Sequence, residues 1–409
     1  MKYFLFLLFS VTCVTGLTQN LFNSPYSIYG LGMINNKLST LNRGMGGTGI
    51  AVRDGYNLNY VNPASLGSIS VPVSSVFEIG FYLERNNYTT NDLSESASNG
   101  SLNNISYWFK LSPRWSSMVG LSPFSSVSYE INTTRTLGGI SGVDYTYEGS
   151  GNLSQLYWGN SFNTIKNLSV GFNISYVFGT ISKNESIGTF NEPNALLFEN
   201  RINTNRFNVD AGIQYSIPLN EKKSLVIGVI GDDGIDFKAT QKNYLYNGSL
   251  DTLNASKGDK LEYSTPVSVG AGLALHAPRS IIATDIKLEK WSDVNLHDDD
   301  VTFDDVWKFS MGYMYKGNPD GFNYMSAVSI RAGFYVQNYY VRVSGNQMPW
   351  WGITAGVSIP VFDNRSSINI NYSFNQLGTL NDGLILQRSQ QIMFVVVVRD
   401  LWGARRKFD

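Results

Sequence analysis

Strict alternation of apolar and polar residues runs through much of the chain and constrains its fold more than any other feature. In SININYSFN (367–375), an apolar or aromatic side chain stands at every second position, with serine or asparagine between. An extended strand puts such residues on opposite faces, one oily and one polar. A soluble sandwich turns the oily face into its core. A membrane barrel turns that face outward into lipid and lines its lumen with the polar face.

The alternation recurs along the chain and predicts fourteen strands. It is clearest in segments 168–179, 207–217, 328–337 and 351–359. The predicted strands cover residues 72–84, 102–112, 116–130, 149–163, 167–182, 204–217, 223–239, 261–275, 279–291, 305–316, 324–337, 350–361, 366–376 and 389–400.

The connections between these strands alternate between short and long. Short links such as SPR and NTIK follow the even strands, and long polar loops such as 85–100 and 182–201 follow the odd strands. Outer-membrane barrels have this pattern, whereas a sandwich has no reason to sort its loops and favours strands of about five or six residues. We therefore predict an all-β fold, a 14-stranded antiparallel transmembrane β-barrel with both termini in the periplasm.

The composition and the first residues agree with export to an outer membrane. Residues 1–18 are predicted to be a signal peptide, with Lys2 before a mostly apolar run, and the single cysteine, Cys13, lies inside it. A lipid-attachment role for Cys13 matches its neighbours poorly. No later apolar run approaches 18 residues, which excludes membrane-spanning helices. A net charge of −1 leaves no electrostatic footprint for nucleic acid.

Residues 19–70 precede the first predicted strand and differ from the rest of the chain. This segment is rich in glycine, which permits tight turns and close approach of two backbones. It is also too long for a simple tail. We predict that it forms a plug inside the barrel; a loosely ordered periplasmic tail is the alternative. The barrel would then span 71–401, with a periplasmic tail at 402–409.

Two runs in the plug, RGMGGTGIAVRDG (43–55) and NYVNPASL (59–66), resemble the N-terminal hatch of FadL-type outer-membrane transporters of hydrophobic compounds. The end of the chain is similar to the Bacteroidota branch of that family. Ser65 departs from the family, which usually has glycine there. The positions that match the hatch motif are Gly44, Gly46, Gly47, Gly49, Asp54, Asn62, Pro63, Ala64 and Leu66.

The run GLSPFSSVSYEI (120–131) resembles the third strand of the same family, which carries a Pro-Phe pair. Proline cannot donate to a strand ladder, so Pro123 weakens the pairing. The resemblance implies that Pro123 and Phe124 mark a lateral opening through which apolar ligands leave the barrel sideways. An ordinary bulge near the barrel rim is the equal alternative.

No catalytic residue, metal site or cofactor is predicted. The two histidines, His276 and His297, lie in no recognisable zinc or Ser–His motif. The acidic run 297–305 could hold Ca²⁺, but its spacing does not match an EF-hand, and a solvated loop is the preferred interpretation.

Two functions remain open. The first is passive uptake of small hydrophobic compounds, such as long-chain fatty acids, across the outer membrane. The second is a non-transporting subunit or scaffold in an outer-membrane protein assembly or secretion complex. The expected partners are therefore outer-membrane lipid, a small hydrophobic ligand and, in the second case, other complex subunits, with no role for nucleic acid.

Overall fold

The structure is a computed structural model of the 409-residue chain. It describes residues 24–35, 38–70, 74–188, 195–247, 251–294, 301–318, 324–343, 345–361 and 366–400. The predicted signal peptide with Cys13, residues 297–300 of the acidic run with His297, and the tail at 402–409 lie outside the described residues.

Strands dominate the fold. In chain order they are β1 (Met33–Ile34), β2 (Ser75–Thr89), β3 (Ser94–Ser112), β4 (Trp115–Leu137), β5 (Ile140–Ile165), β6 (Leu168–Ile187), β7 (Leu196–Pro218), β8 (Ser224–Asp232), β9 (Asp236–Asn247), β10 (Thr252–Ser264), β11 (Ser268–Ala277), β12 (Ser280–Glu289), β13 (Thr302–Phe303), β14 (Val306–Tyr315), β15 (Ser329–Val343), β16 (Asn346–Val361), β17 (Ser366–Leu377) and β18 (Leu386–Asp400).

Helices are few and short. The α-helix α1 (Thr40–Gly44) is followed by a 3₁₀ helix at Pro63–Ser68, and both belong to the segment before β2. Other 3₁₀ helices span Pro25–Ile28, Trp291–Asp293, Tyr324–Ala327 and Asn381–Gly383. Within the described ranges, no helix has the length and apolar character that crossing a bilayer requires.

Fourteen of the strands form a closed antiparallel barrel, which confirms the predicted fold class. They are β2 to β8, β11, β12 and β14 to β18, each paired with its neighbour. The ring closes where β18 pairs with β2, from Asp400 opposite Ser75 to Leu386 opposite Thr89. Short turns join strands at one end, here called the short-turn end, and tall hairpins stand at the other, the hairpin end.

The barrel is oily outside and polar inside. In β17, Ile368 and Tyr372 are each 41% exposed, whereas Asn369 and Asn371 between them are buried. Many other large apolar side chains on the barrel strands face outward in the same way. Such a surface requires lipid around it, because exposing so large an apolar band to water is unfavourable. The chain is therefore an outer-membrane type of barrel.

The predicted strand bounds were wrong above the membrane level. Segments 223–239 and 261–275 each merge two strands: β8 pairs directly with β11, while β9 and β10 form a separate hairpin beside the upper part of β7. Much of predicted loop 85–100 is strand, because β2 and β3 continue pairing up to Thr89 and Ser94. These parts of the strands are mostly polar. Their alternation of apolar and polar residues is weak, so the sequence pattern did not predict them.

Candidate functional site: a filled lumen and an opening in the barrel wall

The described residues before β2, 24–35 and 38–70, lie inside the ring of strands. We call residues 24–35 the upper plug and residues 38–70 the lower plug; the upper plug lies nearer the hairpin end. Leu58, Leu66 and Ile69 of the lower plug share a buried cluster with inward-facing Val395 and Val397 of the wall. Apolar residues that break the inward polar pattern of β18 therefore pack against the plug.

Asn62 and Pro63 begin the 3₁₀ helix of the lower plug. The Asn62 carboxamide accepts a hydrogen bond from the Ala64 N–H at 3.0 Å and donates one to the Ile50 carbonyl at 2.7 Å. Proline suits the first helical position because its missing N–H would have no partner there. Ala64 and Leu66 are buried, and the Ser65 hydroxyl donates to the Asn62 carbonyl at 2.7 Å. Serine in place of the family's glycine thus gains a bond.

The glycines of the hatch motif lie at crowded positions of the plug, and two of them, Gly44 and Gly46, closely approach the wall. Gly46 has φ +68° and Gly47 has φ +83°, conformations that favour glycine. A Cβ on Gly46 would approach the Phe334 carbonyl oxygen to 2.6 Å, and one on Gly44 would approach Asn371 Oδ1 to 2.8 Å. The Gly49 N–H donates to Asp285 of β12 at 2.6 Å.

Asp54 is the acidic residue of the motif and is buried. Its carboxylate accepts hydrogen bonds from the N–H groups of Tyr56 at 2.8 Å and Asn57 at 3.3 Å. Burial raises the pKa of Asp54, but the Lys316 charge and these hydrogen bonds outweigh it and hold the pKa below its usual value. Asp54 therefore shapes a charged turn at the short-turn end.

Paired glycines in the wall receive the lower plug, a feature that sequence reasoning missed. Three pairs stand opposite each other in register: Gly171 with Gly212, Gly228 with Gly272, and Gly312 with Gly333. A Cβ at these positions would collide with the plug, mostly with its backbone. We call the three pairs the glycine seats. The sequence signal that could have revealed these pairs is the presence of glycines at inward-facing positions of the alternating strands.

The wall itself is not paired over its whole height. The β3–β4 ladder runs from Ser112 opposite Trp115 to Ile105 opposite Leu121 and ends there, although both strands continue through described residues. Seven steps along a tilted strand rise about 18 Å, less than the apolar band of about 25 Å. We call the unpaired stretch between residues 94–104 of β3 and 122–128 of β4 the wall opening.

A β-bulge lies on each side of the wall opening. In β3, Asn103 is the extra residue, because Gly80 is opposite Asn104 and Phe81 is opposite Leu102. In β4, Phe124 is the extra residue between Pro123 and Ser125. Bulges of this kind bend a strand and interrupt its pairing. The structure thus places Pro123 and Phe124 at the wall opening, while their role in ligand release stays a prediction.

The plug contacts both sides of the wall opening. Arg43 Nη2 donates to Asn103 Oδ1 at 2.6 Å. On the other side β1 pairs with β4, Met33 opposite Ser126 and Ile34 opposite Ser125. The Asn35 N–H also donates to the Phe124 carbonyl at 2.9 Å. The upper plug therefore occupies the edge of β4 that β3 leaves unpaired.

The upper plug also fills the apolar part of the lumen. Tyr26 and Leu31 belong to one buried cluster with Phe124, Tyr339 and Tyr340 of the wall. The Tyr26 hydroxyl donates to the Ile385 carbonyl at 2.7 Å, and burial raises the pKa of Tyr26 to about 12. The chain's own residues thus fill this apolar part of the lumen.

Two adjoining cavities remain near the wall opening. One, of about 890 Å³, lies at the opening and is lined by Leu102, Leu121 and Pro123 together with many serine and asparagine residues. It shares lining residues with a lumen cavity of about 190 Å³ that Arg43 and Lys308 line. The two cavities therefore reach from the wall opening into the lumen, and each is lined by both apolar and polar side chains.

Other residues singled out in the sequence have structural partners. Asp305 accepts hydrogen bonds from Lys290 at 2.6 Å and from the Ser292 hydroxyl at 2.7 Å, and Asp304 pairs with Arg342. Across the described part of the chain, no group of three or more His, Cys, Asp or Glu side chains is arranged to hold a metal. His276 lies near the end of β11, not in a turn.

A family model named BamG matches residues 1–409, the whole chain. The chain belongs to the BamG family. No sequence match to a curated protein was found.

Solved structures resemble the barrel at low sequence identity. The Pseudomonas putida toluene transporter TodX has 19% identity and a TM-score of 0.57, covering 90% of this chain and 99% of TodX. A Pseudomonas aeruginosa FadL homologue has 12% identity and a TM-score of 0.58, covering 90% and 99%. The monoaromatic hydrocarbon channel CymD has 14% identity and a TM-score of 0.57, covering 89% and 97%. These likenesses confirm the predicted FadL-type barrel as a fold.

Proposed function

We propose that this barrel takes up small hydrophobic compounds passively across the outer membrane and releases them sideways through the wall opening. The observation that carries the proposal is the end of the β3–β4 ladder at Ile105 and Leu121. Two relatives in fold, TodX and CymD, are described as a toluene transporter and a monoaromatic hydrocarbon channel. Their described activities agree with the proposal.

The position of the wall opening supports a sideways route. Phe81 and Leu83 of β2 are 52% and 61% exposed, and they stand opposite Leu102 and Gly100 of β3. The outward apolar band therefore continues above the last β3–β4 rung, and the lower part of the opening borders lipid. A compound that leaves there avoids water, which is worth about 0.8 kcal/mol for each CH₂ kept dry.

In this proposal the barrel stands with its short turns, the start of β2 and the end of β18 on the periplasmic side. β2 begins and β18 ends at the short-turn end, as an even strand count requires. The hairpin end then faces outward, and a compound would enter from that side.

Replacing Pro123 tests the proposal. Pro123→Val restores an N–H and a strand-forming residue beside the wall opening, so we expect slower uptake of radiolabelled oleate or toluene by cells carrying the variant. Pro360→Val, in β16 away from the opening, is the matched control and should leave uptake unchanged. Equal uptake in both variants, with equal amounts of folded barrel, would contradict lateral release.

A second function has its own supporting observation. The upper plug fills the apolar lumen, and the lumen cavity left open is lined by charged and amide side chains as well as apolar ones. An apolar compound could pass only after plug residues move, whereas a barrel that serves as a docking subunit needs no such movement. A subunit or scaffold in an outer-membrane assembly or secretion complex is therefore the alternative proposal.

One pair of measurements separates the two functions. Saturable binding of a fatty acid or an aromatic hydrocarbon to the isolated barrel supports uptake. A stable partner that co-purifies in stoichiometric amounts after gentle detergent extraction, with no such binding, supports the scaffold.

A further inference from the structure

We propose that the plug holds the wall open, with Asn35 and Arg43 as the positioning residues on the two sides of the wall opening. Both bulges face the plug, and each is tied to it by a hydrogen bond. Arg43 binds the side chain of Asn103 on β3, and the Asn35 N–H binds the carbonyl of Phe124 on β4.

The upper plug occupies the edge of β4 that faces β3. The edge of a strand can pair with only one neighbour on a given side. From Phe124 to Ser128 that neighbour is the upper plug, through β1, the Asn35 N–H and the Ser27 hydroxyl, which accepts from the Ser128 N–H at 3.2 Å. While the upper plug remains there, β3 is excluded from this part of β4.

On the other side of the wall opening, Arg43 holds the bulge of β3. Asn103 is buried, and its carboxamide also donates to Asn104 Oδ1 at 2.6 Å. The short Arg43 bond therefore fixes the bulge that takes β3 out of line with β4. Pairing beyond Ile105 would require Asn103 to return to the strand, which removes its contact with Arg43.

If the upper plug left β4, the backbone groups along this edge would lose their hydrogen-bond partners. Unsatisfied backbone groups next to lipid are strongly unfavourable, because nothing there can form hydrogen bonds with them. β3 is the nearest strand that can satisfy them. The wall would therefore pair upward from the Ile105–Leu121 rung and close the opening. The strands by themselves favour a closed wall, and the plug opposes it.

Engineered cysteine pairs can detect this closure. If the β3–β4 register continued without bulges, Ser101 would stand opposite Ser125, so the pair Ser101→Cys and Ser125→Cys should form a disulfide only in a closed wall. Ser150 and Ser182 are opposite each other in the intact β5–β6 ladder, and the same change there is the positive control. The only cysteine in the sequence, Cys13, is replaced by serine throughout.

With an otherwise native chain, we expect the control pair to crosslink and the test pair to stay at background. Asn35→Pro removes the N–H that binds Phe124, and extended Ile34 can precede a proline. Combined with Arg43→Ala, it should raise crosslinking of the test pair to the level of the control pair. Asn35→Ala, which keeps the N–H, and Arg43→Lys, which keeps a donor for Asn103, should stay near background.

Two results would overturn the inference. One is crosslinking of the test pair with the native plug. The other is a test pair that stays at background in the double variant while the control pair in the same variant crosslinks, which shows that the barrel has folded. The inference rests on the proposed function only for its effect on uptake, because a barrel that transports nothing would give the same crosslinks.

Discussion

The two halves of the plug are held in different ways. The lower plug lies in the glycine seats, where its backbone meets wall backbone, and buried side chains such as Asn62 complete its hydrogen bonds. The upper plug rests on aromatic and aliphatic contacts and on the short pairing of β1 with β4. Backbone packed on backbone cannot shift by small steps, whereas a two-residue strand can detach. We therefore expect the lower plug to be the more firmly held half and the upper plug to detach more easily.

The largest expected effect tests the glycine seats. Gly228→Ala should destabilise the barrel by about 3 kcal/mol, because its Cβ would come within 2.6 Å of the Ile50 carbonyl carbon. Gly231→Ala, on the same strand but facing open space, is the control and should change the free energy of unfolding little. Urea unfolding in lipid vesicles measures both. Equal losses would mean that the seats do not hold the plug.

The second test removes a side chain from the lower plug. Asn62→Ala deletes bonds to Ile50 and Ala64 in a buried place and should cost about 2 kcal/mol. Asn220→Ala removes similar bonds, to Lys222 and Lys223, from an exposed turn and should cost less than about 1 kcal/mol. Urea unfolding measures the loss of unfolding free energy in both variants. Equal losses would contradict the role of Asn62 in holding the lower plug.

A third test addresses the upper plug. Gly32 has φ +83°, and a Cβ there would come within 2.5 Å of Val127 Cγ2. Gly32→Ala should loosen the upper plug by about 1 kcal/mol while the lower plug stays protected. Gly345→Ala has the same backbone strain without a collision. Hydrogen exchange along residues 24–70 measures the difference; equal loosening of both halves would contradict their separate attachment.

The smallest expected effect is a pH dependence of the lower plug. Since the pKa of Asp54 is lower in the folded protein than in the unfolded chain, its contribution to stability is complete above the unfolded value of about 3.9. That contribution is lost as the pH falls through the folded value. Protease resistance of the lower plug should decline below pH about 4. Asp54→Asn should flatten this decline, and an unchanged profile would contradict the assignment.

Much of the fold could be predicted because alternation is a local property. Ile368 and Asn369 sit on opposite faces whatever the rest of the chain does, so the strand count follows from the pattern. The sorting of short and long connections then indicated that the oily face points outward. The hairpin of β9 and β10 was missed because its sequence is mostly polar and alternates only weakly.

The candidate site was predicted only in part. The hatch glycines and Pro123 came from short motifs. Arg43 begins the quoted hatch run but is not one of its matching positions, and Asn35 and Asn103 lie in no motif. Their importance depends on which distant strand each of them meets, and residue spacing along one chain does not contain that information.

The sequence by itself determined a barrel of fourteen strands with a glycine-rich segment before it, because the alternation of apolar and polar residues is visible in neighbouring positions. Only the tertiary structure decided where the wall stops pairing and how the plug lies within it. Both depend on contacts between elements far apart in the chain, such as Gly333 with Met45 and Asn103 with Arg43.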